Sequence, residues 1–181
     1  TGIKTTNIND LELENIETNN NGNYGMLLSV ADPILTNVTA NGNGTVTPGG
    51  GIYLSYPSGA NTGATINGAT TDGNTGNGIQ IFAIENTVNL SSIDANSNSE
   101  NGIYLNDLDG GINANTITSN NNTLNGIRFF SCSSTNNLTA FTANDNMDNG
   151  LFAQWTSFST TNNFTFDNNA NDGAEIFACS G

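Results

Sequence analysis

The chain has 181 residues, with 16 acidic residues against 2 basic ones, no histidine and a formal net charge of −14. Phosphate binding needs Lys and Arg, so this balance argues against nucleic acid, anionic membrane surfaces and polyanionic glycans as partners. No run of 18 apolar residues occurs, so we expect no membrane insertion. Asparagine occupies 36 positions, a composition typical of disorder unless a repeat gives it order.

A short repeat opens the chain and returns along its whole length. It reads Gly, apolar residue, any residue, apolar residue, and a weak copy begins at Gly2. Clear copies begin at Gly25, Gly51, Gly78, Gly102, Gly126, Gly150 and Gly173. Counted from Gly2, the successive spacings are 23, 26, 27, 24, 24, 24 and 23 residues. The alternation after each glycine has the period of a β-strand. A fixed period of this length predicts a solenoid in which each repeat is one coil.

Two asparagine positions precede each glycine and set the register. Asn or Asp lies six residues before nearly every glycine, as Asn19, Asp72, Asn96, Asn120, Asn144 and Asp167, and Asn41 lies ten before. Another Asn follows two residues later in every coil, from Asn21 to Asn169. Stacked Asn side chains can hydrogen-bond along a rod, and Gly and Asn supply left-handed backbone angles at sharp bends. The pattern predicts asparagine ladders at one corner of the coils.

A column of apolar residues lies three positions before the first asparagine. Its members are Ile16, Val38, Ala69, Ile93, Ile117, Phe141 and Phe164. One coil has too few apolar residues to form a core, but coils stacked at ~4.8 Å bury a continuous column. We therefore predict an all-β chain, a right-handed parallel β-helix (β-solenoid) of about seven coils of ~24 residues, as a single domain over 1–181.

The repeated cores, such as the segment from Asn120 to Phe129, resemble those of the right-handed parallel β-helix repeat family. That family includes pectate-lyase-like solenoids and surface and adhesin proteins. The resemblance covers the whole chain and implies the fold, but little about function, because lyases, hydrolases, epimerases, tailspikes and adhesins share this fold. A left-handed β-helix needs six-residue steps that are absent, and a leucine-rich repeat fits less well because no coil has a helical pattern.

Two insertions and two cysteines add details to this picture. The stretches from Gly44 to Pro48 and from Pro57 to Gly63 read as surface loops, which on solenoids often lie on a binding face.

Cys132 and Cys179 each follow a motif glycine by six residues, two coils apart. That offset corresponds to ~9.6 Å along the rod, too far for a disulfide. We expect both to be apolar fillers.

The residues that carry catalysis in this family are mostly missing. The resemblance implies aspartates with a His and an Arg-Lys pair in hydrolases, or calcium-binding aspartates with a basic residue in lyases. Here there is no His, and Arg128 has no acidic cluster in its own coil. The carboxylate pairs Asp107 with Asp109 and Asp145 with Asp148 remain, since such pairs can hydrolyse glycosides, but both read better as turns. We expect no enzyme activity and no cofactor.

Several polar residues along the repeat are candidates for metal, glycan or ice binding. Glu100, Asp148 and Asp172 could hold calcium together with carbonyl oxygens, but solvated charges fit better, so we expect no metal. Glycosylation sequons occur at Asn37, Asn43, Asn89, Asn121, Asn137 and Asn163. A threonine column at Thr39, Thr70, Thr118, Thr142 and Thr165 is the kind of feature used for ice binding, but Glu17 and Asp94 interrupt it.

The outward positions of the Gly-apolar-x-apolar strands carry large apolar residues. They are Leu27, Tyr53, Phe82, Tyr104, Phe130, Phe152 and Phe177, one per coil. Such a stripe usually marks an interface or a ligand groove. Our candidate binding residues are Tyr53, Phe82, Tyr104, Phe130, Phe152 and Trp155. In the alternative interpretation, each coil bends at the fourth position and turns Phe82, Phe130 and Phe177 inward.

These observations favour a structural role at the cell surface or outside the cell. We expect a non-catalytic segment of a stalk, filament or adhesin, without a cap at either end and belonging to a longer chain or assembly. Its expected partners are an adjoining chain or another copy, through the coil ends and the aromatic stripe. A module that binds neutral polysaccharide, or a fragment of a polysaccharide-processing enzyme, is the alternative.

Overall fold

The computed structural model describes residues 1–46, 49–55 and 63–180, apart from the side chain of Thr160. This part of the chain contains fifteen β-strands and no helix. Sheet A consists of β1 (Ile3–Asn9), β3 (Met26–Ala31), β5 (Ile52–Ser55), β7 (Ile79–Ile84), β9 (Ile103–Leu108), β11 (Ile127–Cys132), β13 (Leu151–Gln154) and β15 (Ala174–Phe177). Sheet B consists of β2 (Glu12–Glu14), β4 (Ile34–Thr39), β6 (Ala64–Thr70), β8 (Val88–Asp94), β10 (Ile112–Thr118), β12 (Asn136–Thr142) and β14 (Phe158–Thr165).

The two sheets are built by strict alternation. Every odd-numbered strand pairs with the next odd-numbered strand, and every even-numbered strand with the next even-numbered one. All pairs are parallel, and Ile79, Ile103, Ile127 and Leu151 stand side by side in sheet A. The chain therefore advances by one strand in each sheet per coil. The structure is a parallel β-solenoid of about seven coils at the predicted spacing, which confirms the predicted fold class.

Columns of apolar side chains fill the space between the sheets. In sheet A they lie one and three residues after the motif glycine, and in sheet B three residues before the first asparagine. The inner members are Met26, Ile52, Ile79, Ile103, Ile127, Leu151, Leu28, Leu54, Ile81, Leu105, Phe129, Ala153, Val38, Ala69, Ile93, Ile117 and Phe141, none more than 3% exposed. Burying a large apolar side chain contributes about 1.5–3 kcal/mol. Because each coil supplies only a few such side chains, the core depends on stacking.

Each coil turns at residues in the left-handed backbone conformation, and most of these residues form three columns. One column lies between the paired asparagines, at Asn20, Gly42, Gly73, Ser97, Asn121, Asp145 and Asn168. A second lies within the sheet B strands or directly after one, at Asn15, Asn37, Gly68, Ser92, Thr116, Ala140 and Asn163. The third lies within the sheet A strands or directly after them, at Asn7, Ala83, Asp107, Ser131, Trp155 and Ala178. Many of these residues have no side chain suited to a positive φ, so stacking with neighbouring coils must stabilise them.

The motif glycines serve a different purpose from the predicted one. None of them has a positive φ, so they do not supply left-handed corners. A Cβ atom on Gly126 would lie 2.8 Å from Nδ2 of Asn146 and 2.8 Å from the carbonyl oxygen of Gly150. Gly150 is equally crowded, with Asn169 Nδ2 at 2.7 Å. The expectation about backbone angle was therefore wrong for these glycines. They leave room for the asparagine of the next coil.

An uninterrupted asparagine ladder runs through the interior. Each member before the last donates its backbone N–H and its side-chain Nδ2 to Oδ1 of the asparagine in the following coil, with distances of 2.8–3.2 Å. Its members are Asn21, Asn43, Asn74, Asn98, Asn122, Asn146 and Asn169. The five central members are at most 1% exposed. We call this column the inner ladder.

Two further ladders run in the opposite direction, from later coils to earlier ones. In the first, N–H of Asn120 donates to Oδ1 of Asn96 at 2.8 Å, and N–H of Asn144 donates to Oδ1 of Asn120 at 2.7 Å. This confirms the predicted stacking of these three residues. The second lies directly before the motif glycines, where Nδ2 of Asn125 donates to Oδ1 of Asn101 at 3.0 Å. The ladders thus satisfy buried backbone donors in both directions along the rod.

Both cysteines are free, as predicted. Cys132 is fully buried and pairs with Leu108, which in turn pairs with Ile84. Burial raises the pKa of the Cys132 thiol from 9.0 to about 12, although backbone hydrogen bonds at Leu108 and Phe130 oppose the shift. The thiol therefore behaves as a small apolar side chain. Cys179 is partly buried against the same core.

The ends of the core differ from its middle. At the last described coil, the inward side chain of Ile176 is 58% exposed, although the residues beneath it in the same column are buried. At the first coil, Ile3, Leu11, Leu13 and Ile16 are only partly buried. The apolar columns thus reach solvent at both ends of the described rod.

The two predicted loops are described only in part. Gly44, at the start of the first, has a φ of 91°. Thr47, Pro48 and residues 57–62 lie outside the described residues.

Candidate ligand-binding surface

The outer face of sheet A carries the predicted aromatic residues in two adjacent columns. The first outer column contains Lys4, Leu27, Tyr53, Gln80, Tyr104, Arg128, Phe152 and Glu175. The second outer column contains Thr6, Ser29, Ser55, Phe82, Asn106, Phe130, Gln154 and Phe177. Phe82 is 37% and Phe177 57% exposed, and Phe130 is half-buried. The fourth position after the motif glycine therefore points outward. The alternative interpretation, in which the coil bends there and turns this side chain inward, is wrong.

Four of the six predicted residues meet around one arginine. The guanidinium carbon of Arg128 lies 5.1 Å from the ring centre of Tyr104, 5.4 Å from that of Phe152 and 5.9 Å from that of Phe130. Trp155 stands edge-on to Phe130, with ring centres 5.1 Å apart. Tyr104, Arg128 and Phe152 stack because they occupy the same strand position in successive coils. We call these five residues the Arg128 cluster.

Arg128 itself has no polar partner in the part of the chain that is described. Its Nε–H is buried and donates to no hydrogen-bond acceptor among those residues, and none of their carboxylates forms an ion pair with it. A buried donor without an acceptor is rare and costly. Sequence reasoning missed this residue because it considered only acids in the same coil. The sequence feature that could have identified it is the repeat register, in which Arg128 occupies the same position in its coil as Tyr104 and Phe152 do in the coils on either side.

A cavity of about 190 Å³ opens beside the cluster. Its walls are Asn125, Arg128, Asp148, Asn149, Phe152 and Glu175. Nδ2 of Asn149 donates to Glu175 at 3.1 Å, which fixes one wall. The cavity therefore combines a cation, two carboxylates, two amides and an aromatic ring, a mixture suited to a small polar ligand.

The remaining predicted residues lie apart from this cluster. Tyr53 packs against Tyr24, with ring centres 5.4 Å apart. Burial raises the pKa of Tyr24, with smaller contributions from Tyr53 and Glu100. Phe82 makes no ring–ring contact within the described ranges. The predicted aromatic stripe therefore consists of two separate groups, the Tyr24–Tyr53 pair and the Arg128 cluster, with Phe82 between them.

Sheet B has a cavity of about 370 Å³ on its outer face. Its walls include Asn89, Asn113 and Asn137, whose side chains form a short surface ladder with Nδ2 to Oδ1 distances of 3.1 and 2.9 Å. The threonine column also aligns on this sheet: Thr118 stands beside Thr142, and on its other side beside Asp94. Asp94 thus interrupts the threonine row as the sequence indicated.

Of the candidate carboxylates, Asp107 and Asp109 line one cavity of about 100 Å³ together with Glu85, and neither Asp145 nor Asp148 lines it. Asp107 is exposed in the left-handed conformation, and Asp109 accepts a hydrogen bond from the Ser133 hydroxyl at 2.8 Å. Asp145 is also left-handed and exposed, whereas Asp148 is half-buried. Over residues 1–46, 49–55 and 63–180, no three His, Cys, Asp or Glu residues are placed to hold a metal ion. The structure does not bring Glu100, Asp148 and Asp172 together as one site.

The sequons fall into different environments. Asn43 is completely buried in the inner ladder, so in the folded protein it is closed to a glycan. Asn37, Asn89, Asn121 and Asn163 are exposed, and Asn137 is half-buried.

Comparisons with protein-family models, with curated proteins and with solved structures found no match for this chain. Among the described residues, no helix is long and apolar enough to span a membrane.

Proposed function

We propose that this chain is a non-catalytic structural segment of an extracellular or cell-surface stalk, filament or adhesin. The observation that carries the proposal is the unbroken stacking of parallel strands from coil to coil in both sheets. A strand edge with exposed apolar side chains favours pairing with further strands. The rod, about 34 Å long for seven coils, would lengthen by the stacking of another copy on its outermost strands.

The interior of the solenoid also supports a structural role. The inner ladder and the apolar columns connect each coil to the next, and no coil has a core of its own. In such an arrangement each coil is stabilised by contact with both neighbours, which suits a structural segment. We also propose kinship with the pectate-lyase-like and adhesin solenoids, on the strength of the repeat described above.

The test is the association state of the isolated 181-residue chain, measured by analytical ultracentrifugation and electron microscopy. We expect concentration-dependent end-to-end association. Ile176→Asp and Leu13→Asp should suppress it, because a charge on the end coil opposes stacking. Met147→Asp is the matched control, since Met147 is 69% exposed on the side of the rod. A stable monomer with a sharp melting transition and no tendency to form fibrils would overturn the proposal.

A second candidate function is the binding of glycans on the outer face of sheet A. The Arg128 cluster favours it, because Trp155 is 52% exposed beside Phe130 and aromatic faces stack on sugar rings. Trp155 is the only tryptophan, so its fluorescence reports directly on this surface. A shift of its emission on adding soluble neutral oligosaccharides, abolished by Phe130→Ala, is the expected result. An enzyme activity would instead require turnover of a glycan that Asp109→Asn or Asp145→Asn abolishes.

A further inference from the structure

Arg128 is one of only two basic residues in a chain with a net charge of −14. Its guanidinium lies between the rings of Tyr104 and Phe152, which come from the coils below and above. In the described part of the molecule it forms no ion pair, and its Nε has no acceptor. A guanidinium carries five N–H donors and no acceptor group. It is held in place by ring stacking, while its capacity for hydrogen bonding stays unused.

The rings limit how a ligand could approach. With Tyr104 and Phe152 against the guanidinium and its Nε buried, a ligand would bind in the plane of the group, at the two terminal nitrogens. Their N–H groups match the two oxygens of a carboxylate, which accept parallel hydrogen bonds. We propose that Arg128 binds the carboxylate of a sugar acid within a glycan.

The neighbouring cavity fits the rest of such a ligand. Asn125 and Asn149 provide amides, and Asp148 and Glu175 provide carboxylate acceptors for sugar hydroxyls. Phe152 forms an apolar wall. The two carboxylates oppose a ligand with several negative charges, so one acidic residue among neutral sugars fits better than a polyanion. A peptide carboxyl terminus fits less well, because this cavity has no apolar pocket for side chains.

This inference rests on glycan binding, the second candidate function, and narrows it from neutral glycans to glycans with a sugar acid. It is independent of whether the rod is extended at its ends. Association of the coils and ligand binding are measured by different methods, so the two proposals fail separately.

The experiment uses the full chain and follows Trp155 fluorescence and calorimetric heat during titration. The probes are cellobiouronic acid, cellobiose and the peptide N-acetyl-Ala-Ala. We expect cellobiouronic acid to bind at least about tenfold more tightly than cellobiose, since charge-assisted hydrogen bonds add about that much. Equal affinity for the two sugars would overturn the inference and leave neutral-glycan binding standing. Tighter binding of the peptide, or no binding of any probe, would also overturn it.

Three variants test whether the preference for cellobiouronic acid over cellobiose depends on Arg128. Arg128→Gln should lower the affinity for cellobiouronic acid about tenfold. Arg128→Lys should also lose most of it, because an ammonium keeps the charge but lacks the planar pair of donors. Lys4→Gln removes the other cation, which lies in the same outer column five coils away from Arg128 and outside the cavity, and should bind as the unmodified chain does. Retained binding by folded Arg128→Gln, or equal loss in Lys4→Gln, would overturn the assignment.

Discussion

Asn122 donates both its backbone N–H and its side-chain Nδ2 to the same oxygen, Oδ1 of Asn146, at 2.9 and 3.0 Å. The Oδ1 of Asn122 receives the same pair of bonds from Asn98 in the coil below. One buried side chain therefore satisfies donors from its own coil and from the neighbouring one. This relationship repeats through the solenoid and makes the inner ladder a structural requirement.

The first prediction concerns the removal of one ladder residue. Asn122→Ala should lower the free energy of unfolding by about 2–4 kcal/mol, because two buried donors of Asn98 lose their acceptor. Asn144→Ala should cost about 1–3 kcal/mol, because that side chain is half-buried and accepts one backbone bond from Asp167. Chemical denaturation measures both. The control Asn113→Ala lies on the exposed surface ladder, and a loss there equal to that of Asn122→Ala would contradict the prediction.

The second prediction concerns the motif glycines. Gly126→Ala should destabilise the fold by about 2–3 kcal/mol, because the new methyl group overlaps Asn146 and the Gly150 carbonyl. Gly22→Ala is the matched control, since its Cβ would meet nothing closer than 3.7 Å and its φ is not positive. Thermal melting of the two variants compares them directly. Equal melting temperatures would show that the motif glycine is not required for close approach.

The third prediction concerns a threonine in the left-handed column of sheet B. Thr116 is β-branched and has a φ of 58°, a conformation that costs roughly 1–2 kcal/mol for a residue with a Cβ. Thr116→Gly removes that cost but adds freedom to the unfolded chain. We expect a net gain of about 0.5–1 kcal/mol in the free energy of unfolding.

The control for that variant lies two residues away in the same strand. Thr118 has no positive φ, so Thr118→Gly should destabilise by about 0.5–1 kcal/mol. Urea denaturation of both variants gives the comparison. Destabilisation by both substitutions would show that position 116 is not strained.

The fourth prediction is a dependence of stability on alkaline pH. The pKa of Cys132 is about 12 in the folded chain, above its ordinary value of 9.0. The unfolded chain therefore loses this proton at lower pH than the folded chain does. The stability contributed by the neutral thiol is complete below about pH 9 and is lost as the pH rises towards 12.

Cys132→Val tests this dependence because it keeps a similar volume without an ionisable group. The free energy of unfolding should fall less steeply between pH 9 and 11 in the variant than in the unmodified chain. Alkylation at pH 8 gives a second measurement, in which Cys132 should stay unmodified until the protein unfolds. Rapid alkylation of Cys132 in the folded chain would contradict its burial.

The repeat in the sequence was sufficient to predict the fold and much of the interior. The spacing of Gly102, Gly126 and Gly150 gave the coil length, and Ile93, Ile117 and Phe141 were correctly placed in the core. The stacking of Asn96, Asn120 and Asn144 followed from their shared register. These features were accessible because each depends on a position within one coil and on the identity of its side chain.

Only the tertiary structure decided how neighbouring coils contact one another. It placed Phe82 apart from the Arg128 cluster. It also gave the hydrogen bonds of the inner ladder the opposite direction from those of the other two asparagine ladders. It also showed that Gly126 leaves space for Asn146, whereas residues such as Thr116 form the left-handed bends. Arg128 acquired significance only when Tyr104 and Phe152 were placed on either side of it. The physical reason is that these contacts join residues 24 positions apart, and their geometry depends on side-chain direction and coil offset, which spacing along the chain does not specify.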